Sequence, residues 1–519
     1  MTTLTFLIVL PLLAALVTAA IPRNYRLLFR VVNLATTFLC LIGSLRMFLG
    51  FRSDVSGFQF EEWIPWVDSL GIGYHVGVDG INIGLILLTG IVSFAAACVS
   101  GHVTEREKEY SVLFLLIVAG CFGAFASLDL FFLYAFHELA LVPTFILIGV
   151  WGQGEDRTYA AYKMTLYLSL GALIALIGLI ALYLALGAWT FDIPTMTQRV
   201  GVEALPAVTQ KYIFPWLLFG FGILVSLWPF HTWAPRGYAA APPAAAMLHA
   251  GVLKKFGLYA LIRVALPLLP AGAQSWAHVL AVLAIGNLLY AGLVAMRQKD
   301  LNLLAGNSSV AHMGFAFLGI ASLGTIGITG TVVVMVAHGL LAALVFGLNG
   351  WLRQQTGTLN MDHLGGLLKR LPFFGAVLVM AMMAGCGLPG FANFPGELLV
   401  LIGSWKTYPT MVGLAAWAGL IIGAVYMLRA IRHVAHGPLL ERWSGLTDLS
   451  NPWRKLPFML LLAALIIFGC FPRFLTDKIR PVAAEIARAA AGQSARPGMP
   501  VMAGKPATLP GSLTLVIHE

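Results

Sequence analysis

Charge is what this chain has least of. Asp, Glu, Lys and Arg make up 10% of its 519 residues, where a soluble domain carries about 25%. That excludes an ordinary soluble protein. With 59% hydrophobic residues and a mean hydropathy of +0.87, the class is a polytopic membrane protein. Cysteine is scarce and scattered: Cys40, Cys98, Cys121, Cys386 and Cys470 lie far apart in apolar runs. Without C-x-x-C, haem or zinc spacing, disulfide and metal frameworks are not expected, and the five read as small core residues. No nucleotide, flavin, haem or cluster motif occurs, which argues against a stand-alone enzyme and against a redox centre in this chain. Positive charge is missing ahead of the first apolar run, whereas Arg23, Arg26 and Arg30 follow it. That order is the reverse of a secretory leader and predicts a retained helix with its N-terminus outside. The net charge of +10 is read as Lys and Arg gathered in cytoplasmic loops, with no nucleic-acid partner.

What is present is a succession of apolar stretches of bilayer-crossing length. After a first near the N-terminus come spans at about 29–50, 80–101, 109–127, 129–151, 161–187, 211–233, 242–266, 276–296, 303–323, 328–350, 372–403, 409–428 and 457–475. The fold class expected is therefore all-α, with about fourteen transmembrane helices and both ends outside. The acidic stretch at about 51–79 reads as a long outer loop, and the tail after about 476 as a short amphipathic helix followed by disorder. A faint repeat appears in the proline-broken segments around Pro229 and Pro235 and in GLPGFANFPGELL (387–399). Paired discontinuous helices of this kind mark an ion site near the midplane.

The stretch from Leu217 to Arg263 organises the rest. Pro229, Pro235, Pro242 and Pro243 break it, and it carries His231, His249, Lys254 and Lys255. Broken helices and ionisable groups at bilayer depth face protein or water, so they indicate an ion path. Glu138, Glu397, His312 and His338 also sit inside apolar spans, and Asn307, Ser308 and Ser309 flank His312. Each single histidine is more often a satisfied core residue. Glu138 could equally be a helix-contact glutamate, and Glu397 a partner for a helix N-terminus. Eight such groups together favour proton transfer, with Lys255 or Lys254 as the natural cation for Glu138. Lys254 and Lys255 lie about 100° apart on a helix, so one is expected inside and the other reaching towards the edge. Arg157, Lys163 and Arg263 read as interfacial anchors.

DLFFLYAFHELALVPTFILIGVWG (129–152), DRTYAAYKMTLYLSLGAL (156–173), WPFHTWAP (228–235), AGVLKKFGLYALIR (250–263), NLLAGNSSVAHMGF (302–315), MVAHGLLAALVFGLNG (335–350) and GLPGFANFPGELLVLIG (387–403) carry a specific resemblance. In this order they resemble the antiporter-like subunits of respiratory complex I, most of all chain M of NADH-quinone oxidoreductase. The resemblance implies two inverted five-helix repeats with helices seven and twelve discontinuous. It divides the chain into 1–108 (three helices and the periplasmic loop), 109–266, 276–432, 433–475 (a cytoplasmic loop and helix fourteen) and the tail 476–519. It further implies proton translocation driven by quinone reduction elsewhere, along Glu138, Lys255, Lys254, His249, His231, His312, His338 and Glu397.

Under the resemblance, NADH, FMN, iron–sulfur clusters and quinone belong to partner subunits. The partners are other membrane subunits and the bilayer, and the location is the bacterial inner (plasma) membrane. The departures are Leu224 in place of the family's seventh-span lysine, Arg236 for an aspartate and His137 for a tryptophan. The missing lysine raises two expectations: Lys254, Lys255 or His249 takes over as the cation, or the chain is a degenerate, extra or structural copy of the subunit. Subunits of multi-subunit cation/proton antiporters and of membrane-bound hydrogenases resemble the chain in the same motifs and are the rival classes.

Overall fold

The computed structural model describes residues 3–492. Twelve of its helices are long and apolar enough to cross a membrane, and two shorter apolar ones complete fourteen crossings. In order the spans are Thr3–Ala20, Arg26–Gly50, Ile83–Val99, Glu107–Ala126, Leu130–Trp151 and Arg157–Ala185 (spans 1 to 6). Span 7 is split into Ala207–Val225 and Trp233–Ala240. Spans 8 to 11 are Pro243–Leu268, Pro270–Arg297, Leu301–Ala321 and Thr325–Thr356. Span 12 is split into Pro372–Gly385 and Asn393–Trp405. Spans 13 and 14 are Pro409–Val434 and Pro452–Cys470. Spans 8 and 11 are wholly enclosed by protein, and span 10 almost so, while spans 1, 2, 13 and 14 turn most of their surface outward. Lys254, Lys255, His249, His312 and His338 fall on the enclosed spans, where a charge meets protein and not lipid.

Between spans, small residues set the contact distance, as expected where lipid offers no hydrophobic drive to association. Gly220 of span 7 lies against the backbone of Ala175 in span 6, where a methyl group would sit 2.4 Å from the amide nitrogen. The two halves of the fold echo each other. Asp129 caps span 5 by accepting from the amides of Phe131 and Phe132. Asp300 caps span 10 through Asn302 and Leu303. Each cap pairs with the chain that follows the next span, Asp129 with Asp192 and Asp300 with Asn360.

The acidic loop between spans 2 and 3 departs from the all-α expectation. Gln59–Val67 (β1) and Ile72–Val78 (β2) form an antiparallel hairpin. Its alternation is hard to read because four consecutive residues of β1, Trp63 to Trp66, are all exposed. His75 fastens it down: its two ring nitrogens donate to Asp192 Oδ1 (2.5 Å) and Glu61 Oε1 (2.7 Å). After span 14, Arg473–Ala490 is the expected amphipathic helix, starting three residues early. It buries Leu475, Ile479, Ala483, Ile486 and Ala490 at helical spacing. The disorder expected beyond it lies outside the described residues. Of the cysteines, Cys40 and Cys121 are core residues as expected, while Cys470 is exposed.

Candidate functional site

Both broken spans leave backbone groups that must be satisfied within the protein. At the break in span 7, Ser226 adopts a left-handed conformation (φ 72°). Asn287 of span 9 repairs the gap: its Nδ2 donates to Ser226 O and Val310 O, and its Oδ1 accepts from Trp228 N. Trp233 Nε1 donates to Ile223 O across the same gap. At the break in span 12 the amide of Ala392 donates to Leu465 O of span 14. Asn287 escaped the sequence reading; a lone asparagine within an apolar span was the available signal.

Span 8 leaves helical geometry at Val252 (φ −121°, ψ −68°) and tightens into a 3₁₀ turn, Leu253–Lys255. Both lysines are buried, contrary to the expectation that only one would point inward. The reason is the position of span 8 at the centre of the bundle, where every face meets protein. Lys254 Nζ donates to Ser309 Oγ (3.1 Å) and Ser309 O (3.3 Å) on span 10. Lys255 Nζ faces span 11, donating to Ala250 O and to His338 Nδ1, the latter at 2.9 Å.

From His338 the groups continue through span 10 to span 12. The His338 and His312 rings lie 5.5 Å apart. His312 Nδ1 is 2.8 Å from Ser308 O, and Nε2 is 3.2 Å from Gly385 O at the end of the first half of span 12. Both of these partners are acceptors. A neutral imidazole has one N–H and satisfies one of them; a second proton satisfies both. Glu397 Oε1 lies 3.6 Å from His312 Nε2, beyond a hydrogen bond but within ion-pair range. It has no hydrogen-bond partner among the described residues, and the side chain is buried. Ser308 and Ser309, with His338, also line a cavity of about 20 Å³, room for one or two waters. Tyr426 of span 13 closes the network by donating to Ser308 Oγ (3.1 Å).

The remaining expected residues sit to the side. His249 is buried beside Tyr238, its Nδ1 3.3 Å from the hydroxyl. His231 lies in the break of span 7 against the Tyr290 ring, with Nδ1 unpartnered among the described residues. Glu138 does not pair with Lys254, Lys255 or His249. Its ion-pair partner is His137, at 3.3 Å, and it is partly exposed on the flank of span 5. Arg263 is no interfacial anchor: it is buried and bonded to Asp79 Oδ1 at 2.6 Å. Among the described residues no group of three or more His, Cys, Asp or Glu could hold a metal ion.

Residues 127–425 match the family model described as NADH:quinone oxidoreductase/Mrp antiporter, transmembrane. The chain is 34% identical over 489 residues to NADH-quinone oxidoreductase subunit M of Rhodobacter capsulatus, covering 92% of this chain and 94% of that one. It is 34% identical over 515 residues to an NAD(P)H-quinone oxidoreductase chain 4 of a Nostoc species, covering 97% and 93%. Among solved structures, a chain of respiratory complex I from Thermus thermophilus superposes with a TM-score of 0.85 at 28% identity, over 94% of this chain and 99% of that one. A chain of the Mrp complex from a Dietzia species gives 0.82 at 20% identity, over 94% and 98%, a likeness of fold.

Proposed function

Because the chain belongs to the NADH:quinone oxidoreductase/Mrp antiporter transmembrane family, we propose that it is a proton-translocating subunit of an NADH-quinone oxidoreductase. The observation that carries this reading is the close spacing of Lys255, His338, His312 and Glu397 across the centre of the bundle. Lys255 gives a proton from Nζ to His338 Nδ1, leaving a neutral amine that still donates to Ala250 O. His338 passes a proton by way of water to His312, and His312 Nε2 delivers one to Glu397. Lys254, held by Ser309, sets the field around this string, and His249 and His231 lie beside it next to Tyr238 and Tyr290. Each step is driven by a change in relative proton affinity, at about 1.4 kcal/mol per pK unit.

The redox chemistry belongs to partner subunits, which hold FMN, the iron–sulfur clusters and the sites for NADH and quinone. The complex resides in a bacterial inner membrane, among antiporter-like neighbours and small membrane subunits. Affinity purification of the tagged chain in mild detergent tests the assignment. Flavin- and iron–sulfur-containing partners with NADH oxidation are expected. Nickel-containing partners, or small membrane partners without redox groups, would move the chain to a hydrogenase or to an antiporter.

A further inference from the structure

Glu138 is separated from the lysine–histidine string, and the basic group it meets is its own neighbour. His137 is buried while Glu138 is partly exposed, so the pair spans the boundary between the interior and the flank of span 5. Adjacent helical residues do not normally face each other, yet His137 Nδ1 lies 3.3 Å from Glu138 Oε1. The ring is also held in place: it stacks on Phe256 with centroids 4.1 Å apart and planes 21° apart. Phe256 directly follows Lys255, and the turn Leu253–Lys255 packs on span 5. His137 therefore contacts both the carboxylate at the flank and the residue that follows Lys255.

We propose that His137 is a proton carrier linking Glu138 to the Lys254–Lys255 cluster. The step conserves charge and needs no co-reactant. In the imidazolium the N–H bond at Nδ1 breaks as an O–H bond forms on Glu138 Oε1, leaving neutral imidazole and carboxylic acid; the reverse step returns the proton. The other ring nitrogen exchanges protons with the lysine side. The stack on Phe256 keeps the ring aimed at Glu138 throughout. This inference rests on the proposed proton path and adds to it a residue that links the flank of the subunit to its centre.

The test uses the assembled complex in inside-out membrane vesicles. His137→Phe keeps a flat ring on Phe256 but removes both nitrogens. The expected result is loss of proton pumping per NADH oxidised, with the variant chain assembled and its thermal stability close to that of the native chain. His137→Lys, which restores a titratable cation, is expected to recover part of the pumping, an effect that a packing role alone would not give. If His137→Phe does not assemble, His137→Gln decides in its place, with the same loss expected. A native proton-to-electron ratio in the deciding variant would overturn the proposal. Glu138→Gln, measured in parallel, separates two kinds of failure. If it too pumps normally, the path through Glu138 is wrong; if it is impaired while His137→Phe is not, only the role of His137 falls.

Discussion

Arg263 and Glu397 are both buried ionisable groups, yet the two sites respond to mutation in opposite ways. Arg263 is paired at 2.6 Å with Asp79, so Arg263→Ala strands a buried carboxylate. A loss of roughly 3–5 kcal/mol is expected, seen as a lower melting temperature and less chain in the membrane. Arg263→Met combined with Asp79→Leu, which removes both charges, should recover most of it. Glu397 Oε1 has no hydrogen-bond partner to lose among the described residues. Glu397→Gln should leave assembly intact and slow proton-limited turnover by roughly 10²-fold or more, measured as NADH-driven acidification of inside-out vesicles. The types and span positions of Lys254, Lys255, His312, His338 and Glu397 were legible as ionisable letters in apolar runs. Their partners were not, because hydrogen bonds such as Lys255 to His338 join residues 83 positions apart. Arg263 was misread because closeness to the end of a span says nothing about an aspartate arriving from an outer loop.

At the scale of elements, the broken spans were legible and their repairs were not. Proline and glycine announce a break, but the groups that satisfy it, Asn287 and the Leu465 carbonyl, come from other helices. Gly387 shows what the break in span 12 requires. Its φ is +68°, and a methyl group there would lie 2.6 Å from Glu397 Oε2. Gly387→Ala should cost about 1–2 kcal/mol for the left-handed backbone alone. It should also lower pumping by displacing the carboxylate, which comparison with Glu397→Gln in the same assay would check. The hairpin was missed because β1 carries Glu61, Glu62 and Pro65 and exposes four residues in a row, so no alternation marks it as a strand. Its anchor is pH-dependent. Burial alone would depress His75, but its hydrogen bonds to Asp192 and Glu61 outweigh this and lift it to about 9. A raised pKa stabilises fully below the unfolded value of about 6.5 and is lost as pH rises through about 9. Protection factors across 59–78, that is, exchange rates corrected for the base-catalysed intrinsic rate, should therefore fall between those limits, and in His75→Gln they should not change with pH over that range.

For the whole molecule, the count and order of fourteen crossings could be read from hydropathy, because each crossing demands a stretch of about 20 mainly apolar residues, whether or not its helix is broken. Which helices form the centre could not be read, since hydropathy does not sort them: central span 8 is less apolar than the peripheral spans, while central span 11 matches peripheral span 1. The expected topology, with both ends outside, places Cys470 at the outer surface. An impermeant thiol reagent should label this exposed residue from that side, and the buried Cys40 and Cys121 should not react. The central claim is that buried ionisable groups at the midplane move protons. Lys255→Met tests it most directly, because it replaces the proton-carrying group with a side chain of similar length; it leaves Ala250 O and His338 Nδ1 without that donor, so the content of the variant chain in the membrane is measured alongside. The decisive measurement is the proton-to-electron ratio of the assembled Lys255→Met complex in sealed vesicles. The account predicts normal assembly with a reduced ratio or stalled coupled turnover; an assembled complex with the native ratio and rate would contradict it.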